Sequence, residues 1–336
     1  RGKARAAFCA VRPPGHHAGP SGGVGSDRDP VATTGFCLIN NVAVAAAYAL
    51  SVHRELVRKV AILDFDVHHG NGTEACVGAT VPGLRTVPFA TPFSEGVQGF
   101  GVEEGPDTVF YPGSGGTSDS LDLVDRAGAG SAGPGDERSA APRVIDVGIP
   151  GGRPHVALWR RSWRDKILPE LVSFDPDLIL ISAGFDAHRK DVMNHCHIGV
   201  TERDYEWLTE HIMQVANRCK SHVVSILEGG YRVQGGFASA LARSVAAHVQ
   251  VLAHPSRKCW NEEDGQKERD LEAAQRAEAA KKRAEAEAAL AAQEAALEAG
   301  GEAEAGDRKR RRRGGGAVDY LALNAKLDAE NKAQTS

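Results

Sequence analysis

With 336 residues and 42% hydrophobic content, the chain is long enough for one large core or two smaller ones. Its net charge of −4 provides no global basic field, so no direct nucleic-acid binding is expected. The six cysteines (Cys9, Cys37, Cys76, Cys196, Cys219, Cys259) form no CxxC pair, which argues against a disulfide framework and for packed free thiols in a reducing compartment.

No apolar run approaches the ~20 residues of a bilayer span. The start has no signal-peptide pattern, so a soluble intracellular protein is expected. The first residue is Arg1 rather than methionine, so an upstream part is expected to be missing.

In chain order, the apolar runs are "AAFCAV", "KVAILDF", "LRTVPFA", "RVIDVGI", "DLILISAG" and "HVVSIL". Each is short and lacks strict polar alternation, as strands buried on both faces do. Helix-length segments lie between them at 37–52, 156–174, 202–218 and 236–252, with Thr201 and Asp204 spaced as a capping box before the third. A glycine-rich stretch at 128–142 reads as a long surface loop. Strand–helix alternation of this kind predicts an α/β fold, a mostly parallel sheet flanked by helices.

Composition changes near Pro255, dividing the chain into 1–255, expected to be the catalytic domain, and a tail at 256–336. The tail is rich in Ala, Glu, Lys and Arg, with strong helix formers but few large apolar residues. It reads as a solvated helix or a partly disordered segment, open to protein partners and dispensable for chemistry. Its "RKRRRR" run at 308–313 fits either a solvated charge run or a nuclear-import signal. The expected location is nucleus and/or cytoplasm.

Four of the apolar runs lead directly into reactive residues. The first delivers His16 and His17; "VAILDF" delivers Asp64, Asp66, His68, His69 and Asn71; "LILIS" delivers Asp186, His188 and Asp191; "VVSIL" delivers Glu228 and Tyr231. In open α/β sheets ligands bind beyond the carboxyl ends of strands, so these groups are expected to converge.

In an extended Asp66-x-His68 segment both side chains point to one side and can share a metal ion. Asp186 would complete three ligands and leave an open position, the catalytic arrangement. Two carboxylates weaken the cation's power to acidify water, so the site needs a base, from His16 or His17, and a donor, Tyr231. Asp64 and Asn71 are placed to orient the histidines. These parts describe metal-assisted hydrolysis at a carbonyl. Oxygen and nitrogen donors suit zinc, but also Fe(II) or Co(II).

The motifs "RPPGHHA", "GFCLINNVAVAA", "DFDVHHGNGT", "YPGSG", "SAGFDAH" and "LEGGY", in that order, resemble the zinc-dependent histone deacetylase family, class II branch, over residues 11–253. The resemblance implies an arginase/deacetylase-type fold and removal of acetyl groups from lysine side chains, histone tails among the substrates. It implies that Asp66, His68 and Asp186 hold the metal and that His17 is the proton-transferring base. His16, paired with Asp64, would be its electrostatic partner, and Tyr231 would stabilise the oxyanion. Phe36 and Tyr111 would wall a substrate tunnel, with Gly35 and Gly229 supplying close backbone.

The sequence departs from that pattern in places. "TVPFATPFSEG" replaces a strand end that helps bind potassium in the family, which puts a structural potassium ion on Asp64, Asp66 and His68 in doubt. Arg232 stands where asparagine is frequent, and the glycine-rich stretch after "YPGSG" is longer. The family's N-terminal strand and its acidic loop residue are absent or upstream.

Other readings compete. A small acetylated amine, such as an acetylpolyamine, is the alternative substrate. An arginase-like pair of manganese ions would need Asp-x-His-x-Asp, and position 70 is Gly70. A non-catalytic binding module is disfavoured because Tyr231 and every expected ligand are present. His53, His155, His211, His222, His248 and His254 read as surface or satisfied core histidines, and His188 as a rim residue. "HCH" at 195–197 lacks chelating spacing.

Overall fold

The computed structural model describes residues 4–24, 34–78, 89–95, 124–125, 144–150, 154–194 and 197–308, with backbone alone at 89–95, 124–125 and 294–308. Tyr111 and the 128–142 loop lie outside the described residues.

Among the described residues, seven strands form one sheet: β1 (Ala6–Cys9), β2 (Val60–Asp64), β3 (Phe89–Glu95), β4 (Val124–Asp125), β5 (Val144–Pro150), β6 (Leu178–Ala183) and β7 (His222–Leu227). Their order is β1-β7-β6-β2-β3-β5-β4, parallel throughout except for the short edge strand β4. The four strands expected to carry reactive residues are thus consecutive in space, β1-β7-β6-β2.

Both faces of the sheet are covered. On β2, Val60 and Ile62 join one apolar cluster with Val42, Ala43, Ala46 and Ala49 of helix α1 (Asn41–Val52). Ala61 and Leu63 face the opposite way, into a larger cluster with Trp159, Trp163, Tyr205, Leu208 and Ile212. That two-sided burial is why the strand sequences carry no polar alternation.

Asn40 starts α1 by accepting the Ala43 N–H at 3.0 Å. Helix α2 (Asn71–Gly78) follows β2. The expected 156–174 helix is α3 (Val156–Arg161) and α4 (Leu168–Phe174), joined by a π-helical segment, Ser162–Ile167. Trp159, Trp163, Ile167 and Leu171 recur every fourth residue and are all buried. A pure α-helix would rotate such a row off one face, and the wider turn brings it back.

Helix α5 (Glu202–Cys219) starts at a complete Thr201/Asp204 capping box, and α6 (Ala240–Ala253) packs against it. Of the expected strand "LRTVPFA", Phe89 and Ala90 lie in β3, and 84–88 lie outside the described residues.

The chain divides into two compact units, Arg1–Gly265 and Gln266–Ser336. The first extends past the composition change at 255 because Trp260 is buried, and its backbone N–H bonds Gln214 O at 3.0 Å. Helix α7 (Glu262–Arg308) continues into the second unit. There, exposed i,i+4 pairs such as Lys282–Glu278 at 2.7 Å line a solvated helix. Among the described residues, no helix is long and apolar enough to cross a membrane.

Candidate active site

The segments after β1, β2, β6 and β7 meet at the carboxyl end of the sheet. Asp66, His68 and Asp186 are all buried, with one ligand atom from each lying within 4.8 Å of the others. His68 Nδ1 is 2.8 Å from Asp66 Oδ1 and 3.1 Å from Asp186 Oδ2.

The backbone holds these carboxylates in place. Asp186 Oδ1 accepts the Val67 N–H at 3.0 Å, and Asp66 Oδ2 accepts the Gly229 N–H at 2.9 Å. Only glycine fits at two neighbouring positions. A Cβ on Gly229 would sit 2.2 Å from Asp186 Oδ2, and one on Gly184 would sit 2.0 Å from Asp66 Oδ2.

The set fits a divalent cation. Asp186 Oδ2 is buried and accepts no hydrogen bond, although a carboxylate oxygen so placed needs a partner. Burial alone would push the His68 pKa down, but the facing Asp186 and Asp66 carboxylates outweigh it and raise it to about 9. Burial, with Asp66 adding repulsion, pushes Asp186 up to about 7. The cluster therefore holds a proton where a cation would otherwise balance the charge.

Two histidines stand beside this cluster, their ring centroids 4.0 Å apart. His16 Nδ1 bonds Asp64 Oδ2 at 2.9 Å, while His17 Nδ1 bonds the amide oxygen of Asn71 at 2.8 Å. The two partners separate their charges. Burial opposes charging of His16, but Asp64 and Asp66 raise its pKa well above the ordinary value. Burial together with cationic His16 and His68 holds His17 well below it. An amide oxygen only accepts, so the His17 proton sits on Nδ1 and the lone pair is on Nε2. One imidazole is cationic and the other is a neutral base.

Glu228 braces the loop that carries both histidines. It accepts the Gly15 and His16 N–H groups at 2.6 and 3.2 Å and the Ser182 hydroxyl at 3.2 Å. Tyr231 is held through its backbone, where its N–H and that of Arg232 donate to Asp191 Oδ2 at 2.7 and 2.8 Å. Arg12 donates to Gly230 O at 2.9 Å and lies 5.6 Å from the Tyr231 ring centre. Burial, reinforced by Asp186 and Asp66, pushes the phenol pKa up, so Tyr231 remains a hydrogen-bond donor. Phe36 is exposed, its ring 6.0 Å from that of Tyr231. Its φ of 67°, with Gly35 at 48°, is a strained backbone that directs the ring outward at the site.

His16, His17, Asp64, Asp66, His68, Asn71, Asp186, Gly229, Tyr231, Gly35 and Phe36 thus come together, while Tyr111 lies outside the described residues. His188 is a correction. It is 1% exposed rather than at a rim, with Nδ1 accepting the Lys190 N–H and Nε2 3.4 Å from Glu202 Oε2. Of the histidines given no role, only His248 is buried; the other five are exposed or half-buried. Asp191 and Glu228 stood at strand ends in the sequence, but their anchoring roles did not show there. Both bind backbone amides, which leave no mark in residue identity.

The Histone deacetylase domain family matches residues 1–252. Type-2 histone deacetylase 2 of Dictyostelium discoideum is 34% identical over 247 residues, 73% of this chain and 12% of that protein. Histone deacetylase 14, chloroplastic, of Arabidopsis thaliana is 33% identical over 246 residues, 73% of this chain and 46% of that protein. The chain spans 12–62% of the length of the first curated relatives it matches.

Among solved structures, the HDA15 HD domain superposes with a TM-score of 0.53 at 31% identity, covering 76% of this chain and 58% of that one. An acetylpolyamine aminohydrolase from Burkholderia pseudomallei gives 0.52 at 27% identity, covering 75% and 57%. With its parallel sheet, its strand-end cluster and a family match over 252 of 336 residues, the chain belongs to the histone deacetylase family, with the arginase/deacetylase fold.

Proposed function

We propose that this chain hydrolyses the amide of acetylated lysine side chains on proteins, histones among them, using a zinc ion held by Asp66, His68 and Asp186. The observation that carries this reading is the pair of buried histidines, His16 on Asp64 and His17 on Asn71, beside the three-donor cluster of Asp66, His68 and Asp186. When bound, the cation polarises the acetyl carbonyl and acidifies water.

The chain's own groups do the rest. His17 Nε2 takes a proton from water as its oxygen adds to the carbonyl carbon. The Tyr231 hydroxyl donates to the oxyanion that forms there. His16, held cationic by Asp64, adds positive potential without surrendering its proton. His17 then hands its proton to the departing amine nitrogen as the C–N bond breaks, releasing acetate and free amine. Phe36 supplies an aromatic wall for the aliphatic stem of the substrate. Mixed nitrogen and oxygen donors accept Fe(II) too, so metal analysis and reconstitution with each ion complete the assignment.

A small acetylated amine is the second reading, favoured by the structural likeness to an acetylpolyamine aminohydrolase. The test compares kcat/KM on an acetyl-lysine peptide with that on acetylpolyamines. The peptide is expected to win, and a strong preference for the polyamine overturns the protein substrate.

A further inference from the structure

A second group of metal-capable side chains lies at the junction of β2, α2 and β5. His69 follows β2 directly behind His68, Glu74 sits in the first turn of α2, and Asp146 is in the body of β5. One donor atom from each lies within 4.8 Å of the others. His69 Nε2 is 3.3 Å from Glu74 Oε2 and 3.3 Å from Asp146 Oδ2.

Asp146 is the independent sign of a ligand. Its side chain is 2% exposed and points at His69, yet neither carboxylate oxygen accepts a hydrogen bond from the described residues. Leaving a buried carboxylate so unsatisfied costs on the order of several kcal/mol. Around a tetrahedral cation with bonds of about 2.1 Å, donor atoms stand about 3.4 Å apart. The two 3.3 Å separations match that spacing.

We propose that His69 Nε2, Glu74 and Asp146 bind a structural divalent cation of the zinc class, which ties the start of α2 to β5. Two carboxylates and a neutral imidazole balance such a cation, and water completes the coordination. Glu74, 21% exposed, gives the ion a way in from solvent. The site shares no ligand with the Asp66–His68–Asp186 cluster, so it is not a bridged two-metal centre. Its effect on that cluster is positional. The start of α2 carries Asn71, which holds His17, and Gly72, where a Cβ would fall 2.3 Å from the His17 carbonyl carbon.

The experiment counts metal on the full chain after zinc loading and gel filtration, for the wild type, Asp146→Asn and Asp186→Asn. About two equivalents are expected in the wild type and about one in each variant, since metal sites of this kind depend on each deprotonated ligand. A lower melting temperature that added zinc fails to raise is expected for Asp146→Asn. An equivalent lost with Asp146→Asn but not with Asp186→Asn still supports this site while overturning the catalytic one. If Asp146→Asn does not fold, Glu74→Gln, at a more exposed position, replaces it. A count unchanged by either of those substitutions makes the cluster a buried ion pair only and overturns the proposal.

Discussion

Tyr231 shows how a side chain can be recognisable in sequence while its support is not. The strand-end logic that places it beside Asp186 needs only a run of apolar residues followed by "EGGY". Substituting Tyr231 by Phe removes one donor to the oxyanion and is expected to lower kcat by about 10²–10³. A rate near that of the wild type would take the oxyanion away from this residue. Asp191 acts through Tyr231 rather than on substrate. Its Oδ2 gathers the Tyr231 and Arg232 N–H groups, and its Oδ1 accepts the Met193 N–H at 2.9 Å. Asp191→Ala should lower kcat more than it raises KM, and Asp191→Asn, which keeps an acceptor oxygen, should recover part of the loss. Equal behaviour of the two variants would reduce Asp191 to a packing role. The metal-capable trio, the paired histidines and their partners Asp64 and Asn71 were all readable from spacing, because chemistry restricts the residue types. The glycines at 184 and 229 needed coordinates, since a clash with a missing Cβ exists only in three dimensions.

The elements follow the same division. Strand runs buried on both faces identified six of the seven strands, whereas the two-residue β4 has no apolar run to announce it. The π-helical turn was hidden because its sequence, "SWRDKI", has ordinary helix formers, and only the fourth-residue spacing of buried Trp159, Trp163 and Ile167 hints at it. Where α5, α6 and β7 meet, His248 makes the histidine content a property of stability. Thr209 spends its hydroxyl proton on Tyr205 O at 2.6 Å, so it must accept from His248 Nδ1 at 2.7 Å. Ser225 then donates to Nε2 at 2.8 Å, and the rings of Phe8, Phe65 and Phe185 surround the imidazole. Burial pushes its pKa from the ordinary 6.5 down to about 3. Above 6.5 the ring is neutral in both folded and unfolded chains, so it adds no pH dependence. As pH falls from 6.5 towards 3 the unfolded chain takes up a proton that the folded one refuses. Stability is therefore lost on acidification, by at most about 1.4 kcal/mol per pH unit from this group. Denaturant unfolding of His248→Gln between about pH 6 and pH 4 should show a shallower decline than the wild type. Parallel declines would mean that His248 is charged in the folded protein.

At the scale of the whole molecule the composition change at Pro255 and the edge of compact structure differ, because a few residues of low-complexity flank still pack. Asn217 Nδ2 donates to Ser256 O and Lys258 O at 2.8 and 2.6 Å, and the Arg218 guanidinium lies 5.9 Å from the Trp260 ring centre. A chain ended after residue 265 should keep both stability and amide hydrolysis, because among the described residues no candidate ligand or strand end lies beyond it. A chain ended after residue 255 should lose roughly 3 kcal/mol, the cost of removing a buried tryptophan, visible as a lower denaturation midpoint. Equal midpoints would return the boundary to Pro255. The remaining tail bears on where the protein works rather than on what it does. Helix α7 is described as far as Arg308, the first residue of "RKRRRR", and exposed pairs such as Arg283–Glu287 at 2.9 Å lie along it. The run fits either recognition by an acidic import receptor or balance of the acidic residues that precede it, Glu302, Glu304 and Asp307 among them. Deleting 308–313 should shift the expressed chain from nucleus to cytoplasm, read by imaging or fractionation, and leave kcat/KM on an acetyl-lysine peptide unchanged. An unaltered distribution makes the run a solvated charge cluster and removes the argument for nuclear import.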